Sequence, residues 1–280
     1  MEIKIFDTKK EGQHIVFFGA VHGNESCGTV ALKQLIQDLK QNPFFLERGK
    51  VTIVPVCNEA AFEKNVRFID QDLNRVFKKT EHPQTNEEHV ANELTALIDD
   101  CDVFLDIHST ESPGEPSVFV DFPTAENKAF SGALGMPHAI LGWPSLYEQS
   151  TLESFDTTAY AHSKGKTGLL IECGQHTDLK SAQVAHNAIY RTLSYFGLIP
   201  IRPINTAPPQ EITMTHLFIR EGVEDKLAYN WQHLQEIGQG EVIAIRETGE
   251  KIIAERDVVM ILPKANKPVG TEWFYLGSYL

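Results

Sequence analysis

Cysteine is scarce in this chain: Cys27, Cys57, Cys101 and Cys173 are the only four among 280 residues. None forms a Cys-x-x-Cys pair, which excludes the metal and redox motifs built on that spacing. All four lie in or beside apolar runs, so buried free thiols in a reducing compartment are expected. No apolar run approaches the ~20 residues a membrane helix requires. The segment 1–7 has no positive region leading into an apolar stretch, so no signal peptide and a cytoplasmic location are expected. Positive charge is in deficit, 25 Lys and Arg against 38 Asp and Glu, for a formal net charge of −13. That balance suits a phosphate backbone poorly and argues against nucleic acid as a partner. Internal repeats and low-complexity segments are absent too.

What remains is an ordinary globular composition, 42% apolar and 22% charged, long enough to bury a core without disulfides. Apolar runs at 14–20, 50–57, 102–107 and 168–171 read as strands. Between and after them, 26–40, 87–99 and 181–196 read as helices. In the first, Val30, Leu32, Leu35, Ile36 and Leu39 fall near one face, and Asn24 is a candidate N-cap. Strands alternating with helices predict an α/β domain: a mostly parallel mixed sheet flanked by helices. After Pro200 the texture changes. Residues 201–209 read as a connection, and short alternating runs follow at 212–219, 241–246, 251–254 and 258–262. Two domains are expected: 1–200, and a small β-rich unit at 201–280. The span 109–166 reads as a long loop, of the kind that forms lids or binding loops.

Three strings end the predicted strands: Gly19-Ala20-Val21-His22-Gly23-Asn24-Glu25, Asp106-Ile107-His108-Ser109-Thr110 and Ile171-Glu172-Cys173-Gly174. In parallel sheets, ligands bind beyond the carboxyl ends of the strands. His22, Glu25 and His108 make a three-ligand set for a catalytic metal with one open position. Taken alone, His22 and Glu25 read equally as a helix start, and His108 as a satisfied loop histidine. Asp106 is placed to accept a hydrogen bond from a ligand histidine. Glu172 is either a partly desolvated base or a structural carboxylate paired with an arginine. The loop 65–75 adds Arg67, able to polarise a carbonyl, and Asn74 with Arg75, able to clamp a carboxylate. Its plain alternative is a solvated loop held by Arg–Asp pairs.

His22-Gly23-Asn24-Glu25, Asp72-Leu73-Asn74-Arg75, Asp106-Ile107-His108-Ser109-Thr110 and Glu172-Cys173-Gly174 follow one another in a known order. Over residues 14–200 the chain resembles the succinylglutamate desuccinylase/aspartoacylase family, a branch of the zinc carboxypeptidase A-like fold. The resemblance implies one Zn2+ per chain on His22, Glu25 and His108. It implies Glu172 as general base, Arg67 as the carbonyl-polarising arginine, and Asn74 and Arg75 as binders of the amino acid's carboxylate. The reaction would be hydrolysis of the amide of a small-molecule N-acyl amino acid, a linear amide, to a carboxylate and a free amino acid. Homo-oligomerisation stays open. Aspartoacylases carry a further arginine about ten residues before the base. Here 157–164 has none, and His162, Lys164 or Tyr160 stands in its place as a substrate contact. The competing readings are a metallocarboxypeptidase acting on small peptides and a non-catalytic zinc-binding protein of the same fold.

Overall fold

The four central apolar runs lie side by side in one sheet. The computed structural model describes residues 1–42, 45–150, 152, 154–200 and 207–280. In chain order the strands are β1 (Lys4–Asp7), β2 (His14–Gly19), β3 (Lys50–Val54), β4 (Val103–Thr110), β5 (Ser117–Phe119), β6 (His138–Leu141) and β7 (Thr167–Gln175). Then come β8 (Gln210–Ile219), β9 (Lys226–Leu227), β10 (Glu236–Ile237), β11 (Val242–Ile245), β12 (Lys251–Ile253), β13 (Val258–Ile261) and β14 (Glu272–Tyr279). The main sheet has the order β1-β3-β2-β4-β7-β5-β6-β8-β14-β13-β10, and β12-β11-β9 form a second, small sheet. At the centre, β2 runs parallel to β3 and β4, and β4 parallel to β7. The C-terminal strands β8, β14 and β13 pair antiparallel. The fold is α/β, with a mixed, mostly parallel central sheet flanked by helices and a C-terminal antiparallel region.

Period-two alternation divides the core. Ile15, Phe17, Leu105 and Ile107 face one side with α1 (Cys27–Gln41) and α7 (Leu179–Tyr195). Val16, Phe18 and Phe104 face the other with Ala91, Leu94 and Ile98 of the helix Asn86–Asp99 and with Tyr160. β2 and β4 are buried along their whole length, as strands covered on both faces must be. The remaining helices are α2 (Glu59–Glu63), α3 (Asn86–Asp99), α4 (Ala125–Leu134), α5 (Trp143–Glu148) and α6 (Thr157–Ser163). A capping box between Thr85 and Glu88 starts α3.

Several expectations change. The span 109–166 is no loop: it holds β5, α4, β6, α5 and α6. Its strands are three and four residues long, too short for a periodicity to show. β1 and β14, not expected, complete the sheet. The cap of α1 is Ser26, not Asn24, and Val30 is 56% exposed. The C-terminal strands extend the main sheet through the parallel pairing of β8 with β6. Of the connection read at 201–209, residues 201–206 lie outside the described residues. The four cysteines are free and buried. Among the described residues no helix is long and apolar enough to cross a membrane.

Candidate active site

β2, β4 and β7 end at one edge, and each end delivers a polar side chain there. His108 on β4 lies in register with Glu172 on β7. After β2 the chain turns sharply through Ala20, in the left-handed region at φ 46°, a conformation costing a non-glycine residue about 1 kcal/mol. Gly23 follows. A Cβ there would meet the backbone of Ala61 at 2.2 Å, so only glycine lets the turn bring His22 and Glu25 back over the strand ends. The loop carrying Arg67 is tied down from α3. The fully buried Glu87 accepts from Asn58 Nδ2 and from the amides of Ile69, Asp70 and Gln71. Burial pushes the Glu87 carboxyl up, but these hydrogen bonds outweigh it and hold the pKa below the usual range.

His22, Glu25 and His108 converge, all buried, with their ligand atoms within 4.8 Å of one another. His22 Nδ1 lies 2.9 Å from Glu25 Oε1, and His108 Nδ1 lies 3.0 Å from Glu25 Oε2. The two Nδ1 atoms face each other at 3.1 Å. Two imidazole nitrogens that close repel unless a proton or a cation sits between them. The outer nitrogens are held by carboxylates. His22 Nε2 is 3.0 Å from Asp72 Oδ1. His108 Nε2 is 2.9 Å from Asp106 Oδ2, off line for a straight hydrogen bond. Each histidine thus turns Nδ1 inward and Nε2 toward an aspartate, the outer arrangement that fixes metal-ligating histidines. Burial lowers the His108 pKa, but Asp106 and Glu25 more than reverse this and raise it well above the ordinary value. Burial likewise raises Glu25, and the two imidazoles pull it well below the carboxylate range. A buried anion facing two nitrogens has the donor chemistry to hold a metal ion.

These groups open into a cleft that Glu172, Arg67, Asn74 and Arg75 also line. Glu172 is 8% exposed, and its Oε2 has no hydrogen-bond partner. Burial first, then the charge of Glu25, pushes its pKa up to about 8. Arg67 reaches Asp72 through Nε at 2.8 Å and Glu25 through Nη1 at 3.2 Å. Arg75 donates from Nε to Glu272 on β14 and from Nη1 to the Asn74 carbonyl. Its guanidinium lies over Trp143 and Tyr147, and Tyr147 also donates to Glu272. Arg75 is therefore held by hydrogen bonds at its edge and by two neighbouring rings. Asn74 Oδ1 accepts from the Thr157 amide, which leaves its Nδ2 for the cleft.

Two expected substrate contacts lie elsewhere. Tyr160 packs into the core beside Phe77, and its hydroxyl donates to Asp99 at 2.9 Å. His162 is on the surface, stacked on Phe122 with ring centroids 4.0 Å apart. Neither lines the cleft. The reason is the short α6: its apolar side packs on the sheet, so its middle points away from the strand ends. The residues that do line the cleft and were not singled out include Asp121, Trp143, Asp156, Lys264 and Lys267. Asp72 stands inside a quoted motif, and its contact with His22 spans 50 residues of sequence. Tyr275 is buried, its hydroxyl on that of Tyr147.

Fold and cluster define a class: an α/β protein with a buried His/Glu/His group able to hold a metal, set at the strand ends beside a second carboxylate. The family follows from comparison. The model of the "Succinylglutamate desuccinylase/Aspartoacylase catalytic domain" matches residues 11–195, and the chain belongs to that family. It is 25% identical to a succinylglutamate desuccinylase of Shewanella frigidimarina, over 95% of this chain and 82% of that protein. An aspartoacylase of Danio rerio is 32% identical over 37% of this chain and 36% of its own. Among solved structures, a succinylglutamate desuccinylase/aspartoacylase from Rhodobacter sphaeroides superimposes with a TM-score of 0.78 at 18% identity, covering 99% of this chain and 89% of that one. The product-bound ectoine utilization protein EutE (DoeB) from Ruegeria pomeroyi gives 0.77 at 20% identity, covering 99% and 88%.

Proposed function

We propose that this protein is a zinc-dependent amidohydrolase that cleaves an N-acyl amino acid to a carboxylate and a free amino acid. The observation that carries the reading is the inward-facing Nδ1, Nδ1 and carboxylate set, with the unpartnered Glu172 Oε2 in the same cleft. His22 Nδ1, Glu25 and His108 Nδ1 would hold one zinc. When bound, zinc supplies Lewis acidity and lowers the pKa of water toward neutrality. Glu172 takes the proton of the attacking water as the C–O bond forms. It returns that proton to the amide nitrogen as the C–N bond breaks, so one proton is relayed and the amine leaves neutral. Arg67 stabilises charge on the carbonyl oxygen. Arg75 and Asn74 Nδ2 grip the amino acid's carboxylate, and Glu272 fixes the guanidinium plane for that task. Asp72 and Asp106 set the tautomers of the ligand histidines.

Leu262, Pro263, Lys264 and Lys267, from the C-terminal region, line the cleft. That supports a small substrate over an extended peptide, and supports treating 201–280 as a unit serving the mouth of a catalytic domain at 1–200. The test is a screen of N-acyl amino acids with the zinc-loaded protein, reading released amine. Zinc-dependent turnover of at least one is expected. No turnover of any, with short peptides cleaved instead, would overturn the reading.

A further inference from the structure

The small C-terminal sheet ends in a strand with no neighbour on its outer side. β12 pairs with β11 alone, in the order β12-β11-β9. Its inner bonds fix which residues point outward. The Glu250 carbonyl accepts from the Arg246 amide, the Ala254 amide donates to Glu241, and the Ala254 carbonyl accepts from Gly240. Positions 250, 252 and 254 therefore turn their backbone groups toward β11. The alternate positions, 251 and 253, turn theirs away from it. The side chains follow the same parity. Ala254 is buried and Ile252 packs against the core, whereas Lys251 and Ile253 face solvent, with Ile253 47% exposed. Residues 250–256 line an open groove, its other wall formed by His216, Phe218, Val258 and Leu276.

A free edge usually carries charge that keeps other strands away. Here the charges are arranged to suit one partner. The edge reads Glu250-Lys251-Ile252-Ile253-Ala254-Glu255-Arg256. Its four charged side chains are exposed, and among the described residues none of them is in an ion pair. Set Ile253 opposite the Ile253 of a second copy, antiparallel. Lys251 then falls opposite Glu255 of that copy, and Glu250 opposite Arg256, each twice by symmetry. The outward N–H and C=O of Ile253 bond reciprocally to those of its copy. The Glu255 carbonyl is taken by Gln239 Nε2, so backbone pairing centres on Ile253 and the side-chain charges carry the rest. The other free edges lack this match. A two-fold axis sets opposite each other only residues an even number apart. Lys4 and Asp7 of β1 are three apart, so no symmetric register joins them. β9 and β10 are two residues long.

We propose that a second copy of this chain docks on β12 about a two-fold axis at Ile253, joining the two small sheets into one continuous antiparallel sheet. The pairing is short beside a standard interface of ~1,200–2,000 Å², so the dimer exchanges reversibly with the monomer. Ile253 is covered by its own copy, and the four unpaired charges find partners of opposite sign. No residue of 250–256 lines the metal-binding cleft, so this inference stands apart from the hydrolysis proposed above.

The test is sedimentation velocity on the full chain over a concentration series. The weight-average mass should rise from the monomer's 31.4 kDa toward twice that value, and the rise should shrink at high salt. Lys251→Glu sets a carboxylate opposite Glu255 of the second copy, and Glu255→Lys sets an ammonium opposite its Lys251. Each should raise the dimer Kd by roughly tenfold. The first change makes the chain more acidic and the second less, so an effect of net charge alone would have opposite signs in the two. The double variant Lys251→Glu/Glu255→Lys exchanges the signs and should restore association to near the parent's. Both positions are exposed, and circular dichroism checks that each variant is folded. A monomer at every concentration overturns the proposal. So does a dimer whose Kd is the same in the parent and both single variants, because that dimer uses another surface. Failure of the double variant to recover association overturns the register at Ile253 and with it the proposal.

Discussion

The two ends of the cleft bury carboxylates to similar depth and treat them in opposite ways. At the strand ends, Glu25 is 2% exposed and faces two imidazoles, a guanidinium and the Ser109 amide. At the far end, Asp156 is 5% exposed and shares the Thr158 hydroxyl with Asp121. A buried anion is costly unless paired and hydrogen-bonded. One end has its partners built in. The other sets one threonine hydroxyl between two carboxylates.

Substitutions at the two ends should therefore fail differently. The largest effect is expected from Glu172→Gln, since an amide cannot take the water's proton. kcat should fall by about 10²–10⁴-fold while elemental analysis still finds one zinc per chain. A parent-like rate in that variant would remove Glu172 from the mechanism. Asp72→Asn tests the support behind His22: zinc affinity, measured by competition with a chelator, should weaken by about 10–100-fold. Unchanged affinity would reduce the Asp72 contact to packing.

Arg75→Lys keeps the charge and loses the fork that Glu272 and the two aromatic rings orient. KM should rise by roughly tenfold with kcat less affected; an unchanged KM would assign the carboxylate to another group.

His233 bridges Ser117 on β5 and Leu262 of the C-terminal region. The Leu262 amide donates to its Nδ1, so its Nε2 carries the proton toward Ser117 Oγ. Burial, then His138, pushes its pKa down to about 3. The unfolded chain takes up this proton below about pH 6.5 and the folded chain does not until about 3. The associated stability is present above pH 6.5 and is lost as pH falls from there toward 3. Between pH 7 and 4 the parent should lose more stability in urea titrations than His233→Gln, by about 3 kcal/mol. Equal losses would show that the imidazole titrates normally. The smallest effect belongs to Tyr160→Phe, which removes the bond to Asp99 at a stability cost of about 1 kcal/mol and should leave hydrolysis unchanged.

The legible part of the site was the part written in short strings. His22, Glu25, His108 and Glu172 each follow an apolar run by a few residues, so strand ends could be read directly and sheet topology brought them together. Arg67, Asn74 and Arg75 sat in a dense polar loop that could be read the same way. Tyr160 and His162 could not be placed, because a seven-residue helix shows no dependable face and its orientation follows from packing on the sheet. Nor could Asp121, two residues past a three-residue strand, whose position depends on β5 running antiparallel to β7.

The sequence by itself determined the buried parallel centre of the sheet, from continuous apolar runs, and the residue types at the ends of its strands. Tertiary structure decided which imidazole nitrogen faces inward, because Asp72 and Asp106 hold the other one. It decided the plane of Arg75, through Glu272 nearly 200 residues away in sequence. It also joined the C-terminal strands to the main sheet and brought two ordinary aspartates onto one threonine hydroxyl. Local pattern can specify burial and chain direction; only packing across the sheet specifies which charges meet.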